Sequence, residues 1–358
     1  MPQDEISAHA VQVAGVLKST DANATGVATG IDLYSIGGSN ATAMREKAFV
    51  LAAQELIYQP EFVRAINMSF ALGLGGGNTL DGNSLLTQFV DWSAREHDLL
   101  YVAAGNQLTT GGQPDGLSIP TDNYNGITVS RSIQRNGIYS EASAGNDFGA
   151  GVDAVGTRTS VDILAPGDSV LMPTLNPTQQ PQGTISTVAS NGTSFAAPHA
   201  TGAVALLQEY AVDRINTPNL PNWDTDARRH EVMKAVIMNS ADKILDTGDG
   251  LRLGMGRNVY KKSGTNQTFL NSNAFTNPAQ PLDEEIGVGH LDVARALRQF
   301  EGGETETVKP PGPFGPFPPT IVPQVGWDYA NTSETGASWN VYEFTDPLQR
   351  THSWGLAS

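Results

Sequence analysis

From Val11 to about Phe300, short apolar runs alternate with longer amphipathic stretches, the pattern left by strand–helix–strand units. Strands are expected at 31–36, 65–69, 99–103, 126–130 and 161–164, each ending near small or polar residues. Helices are expected at 41–58, 80–96, 194–214, 226–240 and 291–299, the last stopped by Glu301-Gly302-Gly303. This alternation implies an α/β domain with a mainly parallel sheet and helices on both faces. In such sheets ligands bind beyond the carboxyl ends of the strands, so the loops at 69–77 and 104–111 are the natural places for a site.

The main domain is expected to close near Phe300 and to span 1–303. Residues 304–324 carry Lys309-Pro310-Pro311-Gly312-Pro313 and Pro316-Phe317-Pro318-Pro319, which reads as an extended, semi-rigid linker. Residues 325–358 place Trp327, Tyr329, Trp339, Tyr342 and Phe344 at strand-like spacing. That stretch is too short for a core of its own and is expected to be the start of a truncated β domain.

Composition narrows the chemistry. The 358 residues are 39% hydrophobic, enough for a large core, and carry a formal net charge of -16 with no basic cluster, which argues against nucleic acid as a partner. There is no cysteine, hence no disulfide framework, thiolate metal site or cysteine nucleophile. No run is long enough for a membrane span, and the first residues lack a signal peptide's basic start and apolar core. Gly73-Leu74-Gly75-Gly76-Gly77 fails the spacing of a dinucleotide loop and reads as a cleft loop.

The segment Asn191-Gly192-Thr193-Ser194-Phe195-Ala196-Ala197-Pro198-His199-Ala200-Thr201-Gly202 runs from a loop into a helix of small residues. It displays a hydroxyl at a helix N-terminus, where unpaired N–H groups and the positive end of the dipole favour a developing oxyanion. Pro198 is expected inside the first turn. Gly-Thr-Ser alone is a common helix start, but the whole string resembles the G-T-S-x-A-x-P-H-x-x-G signature of the subtilisin-like serine proteases. That resemblance implies that Ser194 is the nucleophile and that His199 is structural. His9-Ala10-Val11-Gln12-Val13-Ala14-Gly15 resembles the family's H-G-T-H-V-A-G, which makes His9 the expected general base, although Ala10, Val11 and Gln12 depart from it. Tyr101-Val102-Ala103-Ala104-Gly105-Asn106 resembles the A-A-G-N segment, with Asn106 the expected oxyanion donor beside the Ser194 N–H.

Ile66-Asn67-Met68-Ser69-Phe70 resembles the family's cleft-lining strand. By this resemblance Ser69, Phe70, Ala71, Ala104 and Gly105 are expected to border bound peptide, with uncharged, apolar side chains preferred before the scissile bond. The stretches 120–129, 163–167 and 287–297 are similar to further family segments in the family's order. The implied activity is hydrolysis of peptide bonds through an acyl-enzyme, with a peptide or protein as partner, no cofactor, and secretion or attachment to the cell envelope. A calcium loop would need more than Asp21 and Asn23.

The family's triad aspartate lies on an internal strand some tens of residues before the histidine, and only eight residues precede His9. Without it the imidazole loses its tautomer and orientation, a loss of about 3 × 10⁴ in kcat in enzymes of this kind. Three explanations stand. The sequence begins inside a longer chain, which is the expectation; the chain is an inactive relative used for binding; or another segment supplies the carboxylate.

Overall fold

A computed structural model describes residues 7–37, 45–58, 63–70, 72–73, 80–105, 118–135, 138–141, 158, 160–175, 185–242, 259–260, 282–283, 286–305, 320–322, 325–330, 342–344 and 353–357. Its helices are α1 (Ala8–Lys18), α2 (Arg45–Ile57), α3 (Leu85–His97), α4 (Thr193–Asn216), α5 (His230–Ser240) and α6 (Val293–Phe300). The strands of the first half are β1 (Ala65–Met68), β2 (Leu72–Gly73), β3 (Leu100–Ala104), β4 (Ser118–Ile119), β5 (Ile127–Arg135), β6 (Ile138–Glu141) and β7 (Ile163–Pro166). Those of the second are β8 (Val170–Leu175), β9 (Ile185–Ser190), β10 (Val259–Tyr260), β11 (Thr320–Val322), β12 (Val325–Tyr329), β13 (Tyr342–Phe344) and β14 (Ser353–Ala357).

β1, β3, β5 and β7 run parallel in that order, with Ala65 opposite Leu100, Val102 opposite Ile127 and Val129 opposite Ile163. β6 is antiparallel to the far half of β5, taking up the edge that β3 leaves after Val129, and β10 extends it. Side chains alternate across the sheet as a strand requires. Leu100, Val102 and Ala104 face a core shared with α4, α5 and α6, whereas Leu99 and Tyr101 face a second core with α2 and α3. Helices therefore cover both faces, the arrangement the alternating sequence pattern predicts.

The main expected elements are present with shifted ends. α3 starts at Leu85 rather than 80, because Ser84 caps it by accepting the Thr87 N–H at 3.0 Å and Asp81-Gly82-Asn83 forms a turn with Gly82 at φ +77°. The single helix expected at 226–240 is broken at Arg229, which is extended between a 3-10 turn at Thr225–Arg228 and α5.

One expected strand is corrected. Residues 31–36 form no strand, and Leu33 and Tyr34 are exposed at 41% and 38%. Strand preference expresses packing on a pleated neighbour, and this stretch has no ladder partner among the described residues. α1 and the β8–β9 hairpin are additions that the periodicity did not suggest. Ser7 caps α1, which packs on α4 and β8 so closely that a Cβ on Gly15 would lie 2.6 Å from Pro173 Cδ.

Candidate active site

α4 positions Ser194 in its first turn and carries it into the core. Ala196, Ala197, Ala200, Ala203, Val204 and Leu207 are fully buried against the parallel strands, so the start of the helix is set by the sheet beneath it. Small residues permit that depth: a Cβ on Gly202 would come within 2.7 Å of the Val27 side chain.

Pro198 lies at the sixth helical position, not in the first turn as expected. Having no N–H, it leaves the carbonyl of Ser194, four residues back, without its helical donor. The hydroxyl of Ser69, at the carboxyl end of β1, donates to that carbonyl instead at 2.7 Å. Ser69 Oγ in turn accepts from Asn67 Nδ2 at 2.8 Å, and Asn67 Oδ1 accepts from Thr201 Oγ1 at 3.0 Å. The relay closes on α4 itself and joins the backbone of Ser194 to the sheet.

This relay predicts a coupling. Ser69→Ala should destabilise the protein by about 1–2 kcal/mol, because it orphans a half-buried carbonyl. In a Pro198→Ala background the restored helical N–H should remove most of that cost. Urea unfolding of the two single variants and the double variant measures the interaction, and strictly additive effects would refute it.

Two neighbouring contacts bring strand ends to the same place. Thr193 Oγ1 donates to Gly105 O at 2.7 Å, tying the residue before Ser194 to the residue before Asn106, and Gly105 N donates to Val129 O at 2.7 Å. Gly192 N donates to Gly167 O at 2.8 Å, where a Cβ on Gly167 would collide with Arg131 Cβ at 2.5 Å. The loop before α4 thus rests on the carboxyl ends of β3 and β7 and on the middle of β5 between them, beyond the strand ends where sheet topology predicts a site.

His9 stands in the first turn of α1, its ring 5.7 Å from that of Phe195, the residue after Ser194. Burial pushes its pKa below the ordinary histidine value, and no carboxylate among the described residues offsets this. His199 turns away from such a role: its Nδ1 lies 2.8 Å from Phe195 O, and burial lowers its pKa despite that contact. Phe70 is half-buried, stacked on Phe49 with centroids 3.7 Å apart. The Ala104 side chain is 3% exposed within the core, and Gly105 is buried beside it. Asn106 and Ala71 lie outside the described residues. Asn67 and Thr193 were missed as positioning groups. Both stood inside recognisable strings, but only the folded chain reveals what they bond.

Among the described residues, Asp98, His230 and Glu231 are the one group whose ligand atoms converge as a metal would need, within 4.8 Å. Their surroundings favour a protonated imidazole over a metal. His230 Nδ1 lies 3.1 Å from Asp98 Oδ1 and 3.0 Å from Glu231 Oε2, which favour the imidazolium, whereas Arg64, 3.3 Å from Asp98 Oδ2, and the positive end of α5 disfavour a divalent cation. Although burial opposes it, the two carboxylates raise the pKa of His230. The Asp21 loop is closed on itself: Asp21 Oδ1 accepts Asn23 N at 2.8 Å and Asp21 O accepts Thr25 Oγ1 at 2.9 Å.

The sequence profile of the Subtilase family matches residues 2–256. The chain belongs to the Subtilase family. The relatives it resembles are bacterial proteases and subtilisins. An extracellular protease of Xanthomonas campestris pv. campestris is 33% identical over 146 residues, 41% of this chain and 21% of that protein. Subtilisin E of Bacillus subtilis is 28% identical over 208 residues, 58% of this chain and 47% of its own length. Subtilisin DY of Bacillus licheniformis is 29% identical over 202 residues, 56% and 62% of the two chains. The match therefore spans less than two thirds of these curated relatives. Among solved structures, the prenylagaramide maturation protease PagA superposes with a TM-score of 0.52 at 19% identity, over 82% of this chain and 83% of that one. Fervidolysin from Fervidobacterium pennivorans superposes at 0.50 and 18% identity, over 81% and 36%. Both likenesses establish the subtilisin-like fold. No helix among the described residues is long and apolar enough to cross a membrane.

Proposed function

We propose that this subtilase hydrolyses peptide bonds through an acyl-enzyme. Ser194 attacks the scissile carbonyl, His9 takes its proton and returns it to the leaving amine, and Asn106 with the Ser194 N–H holds the oxyanion. The observation that carries the reading is the approach of the His9 ring to Phe195, beside a serine in the first turn of a 24-residue helix. The relay from Thr201 through Asn67 and Ser69 supports it by holding the Ser194 carbonyl, and the bond from Thr193 to Gly105 supports the place given to Asn106. Peptide is read as lying along Ser69, Phe70 and Ala71 on one side and Ala104 and Gly105 on the other.

Orientation of His9 by a carboxylate is the component that no described residue supplies. Its presence or absence affects the rate of acylation rather than the residue acylated. The test is a fluorophosphonate probe on the purified, folded chain, with the modified residue located by peptide mapping. Modification at Ser194 is expected. A folded chain that takes up no probe even when extended upstream by the family's aspartate-bearing segment would refute the enzyme reading and favour a protease-like binding protein.

The depressed pKa of His9 makes a further prediction. The base works neutral, so kcat/KM rises as pH passes upward through its pKa, and burial moves that acid limb below about 6.5. A limb measured above 6.5 would mean that a carboxylate faces His9 in the working enzyme.

A further inference from the structure

A second feature lies away from Ser194, where the chain after α6 meets strand β12. Glu304 lies between two segments. Its N–H donates to Asn222 O at 3.0 Å, and on the other side it is bridged to Trp327, with Thr305 N donating to Trp327 O at 2.9 Å and Trp327 N to Gly303 O at 3.1 Å. The fit is close: a Cβ on Gly302 would collide with Val325 O, and Gly303 takes φ +72° against Asn222 and Trp223. Trp327, 1% exposed, fills a gap in the main core, with its ring 6.0 Å from Phe300 and 6.1 Å from Trp223. β14 pairs with β12 and packs on α5, so this junction carries the C-terminal strands.

The charge around Glu304 does not suit this packing. Asp224 and Asp226, at the cap and in the 3-10 turn, and Asp328 on β12 add negative charge around Glu304, and the Tyr329 N–H of β12, which donates to its carboxylate, offsets them only in part. Arg229, the cation beside these aspartates, is 3.2 Å from Asp226 and lies over the Tyr329 ring at 5.1 Å. Beyond it at the start of α5, His230 is held by Asp98 and Glu231. An apolar anchor and a backbone ladder pull β12 in, while a group of carboxylates pushes it away.

We propose that Glu304 and its ring of aspartates form a proton-controlled latch, which holds β12 and its partner strand on the body of the molecule in acid and releases them as the pH rises. Burial, reinforced by Asp224 and Asp226, pushes the Glu304 carboxyl up to about 7. A carboxyl raised in the docked state favours docking while protonated. That contribution is fully present below the ordinary glutamate value and is lost as pH rises through about 7. Release exposes Trp327 and the aromatic gap it fills. The latch is independent of the chemistry proposed for Ser194.

The test is hydrogen exchange followed by mass spectrometry on the full chain between pH 5 and 8, corrected for the intrinsic pH dependence of exchange, with Glu304→Gln alongside. Because Glu304 is only half-buried, the full shift is discounted for solvent screening, and exchange in 325–329 should speed up about tenfold. Residues 100–104 of the central sheet should hold steady, and Glu304→Gln should flatten the response. Trp327→Ala should open 325–329 at every pH. Wild-type protection that ignores pH, a Glu304→Gln profile that follows the wild type, or loss of protection in 100–104 together with 325–329 would each overturn the latch.

Discussion

Ser194→Ala removes fluorophosphonate modification and peptide hydrolysis together and leaves the unfolding midpoint within about 0.5 kcal/mol of the parent. The side chain is half-buried, and the bonds that hold its residue in place run through the backbone, from Ser69 to the Ser194 carbonyl and from Gly192 to Gly167. Removing the hydroxyl therefore costs chemistry rather than structure. Where a full triad operates, losing the serine or the histidine costs about 2 × 10⁶ in kcat, and losing both costs no more, because the two act as a unit. His9→Ala should match Ser194→Ala, and the double variant should add nothing. His199→Ala, which disturbs only the bond to Phe195 O inside α4, should lower stability yet keep the probe reaction. A His199 variant that loses the reaction while His9→Ala retains it would exchange their roles.

Asp122→Ala is expected to destabilise the fold by about 2–5 kcal/mol, read from urea unfolding. Asp122 is 1% exposed, and its carboxylate accepts the Thr87 hydroxyl and the Gly82 N–H, each at 2.7 Å. Arg158 donates to its backbone carbonyl and stacks over Tyr124 at 4.0 Å. The carboxylate thus ties the start of α3 to the loop that leads into β5, across a sequence separation of 40 residues at Gly82. Alanine leaves a fully buried hydroxyl and a turn N–H without an acceptor, and such groups cost more unmade than the bonds contribute when made. Asp122→Asn keeps the shape and one good acceptor and should lose about half as much. If Asp122→Ala unfolded at the parent's midpoint, water would have to replace both bonds.

The fold class and the segments that carry the candidate site were legible because their signals are local. β1, β3, β5 and β7 are short apolar runs and α4 is a long one, and each is buried enough for periodicity to report it. The string around Ser194 is contiguous and so could be read whole. His9 could be singled out by its neighbours, although its helix could not, since α1 depends on a Ser7 cap and on packing against α4 and β8.

Other features depend on partners distant in sequence. Residues 31–36 have a strand-forming composition but no ladder partner among the described residues, and the β8–β9 hairpin forms because Val170 meets Ser190 across a long connection. Pro198 was visible in the sequence as a proline in a helix. That it frees the Ser194 carbonyl, and that Ser69 claims it from 125 residues away, follows only from folding β1 against α4. The sequence by itself determined the parallel strands β1, β3, β5 and β7, the long helix α4 and the serine at its start, since those follow from local periodicity and composition. Tertiary structure alone decided what bonds the Ser194 backbone and how Glu304 came to lie among aspartates, because a hydrogen bond or a shifted pKa depends on distances that sequence spacing does not encode.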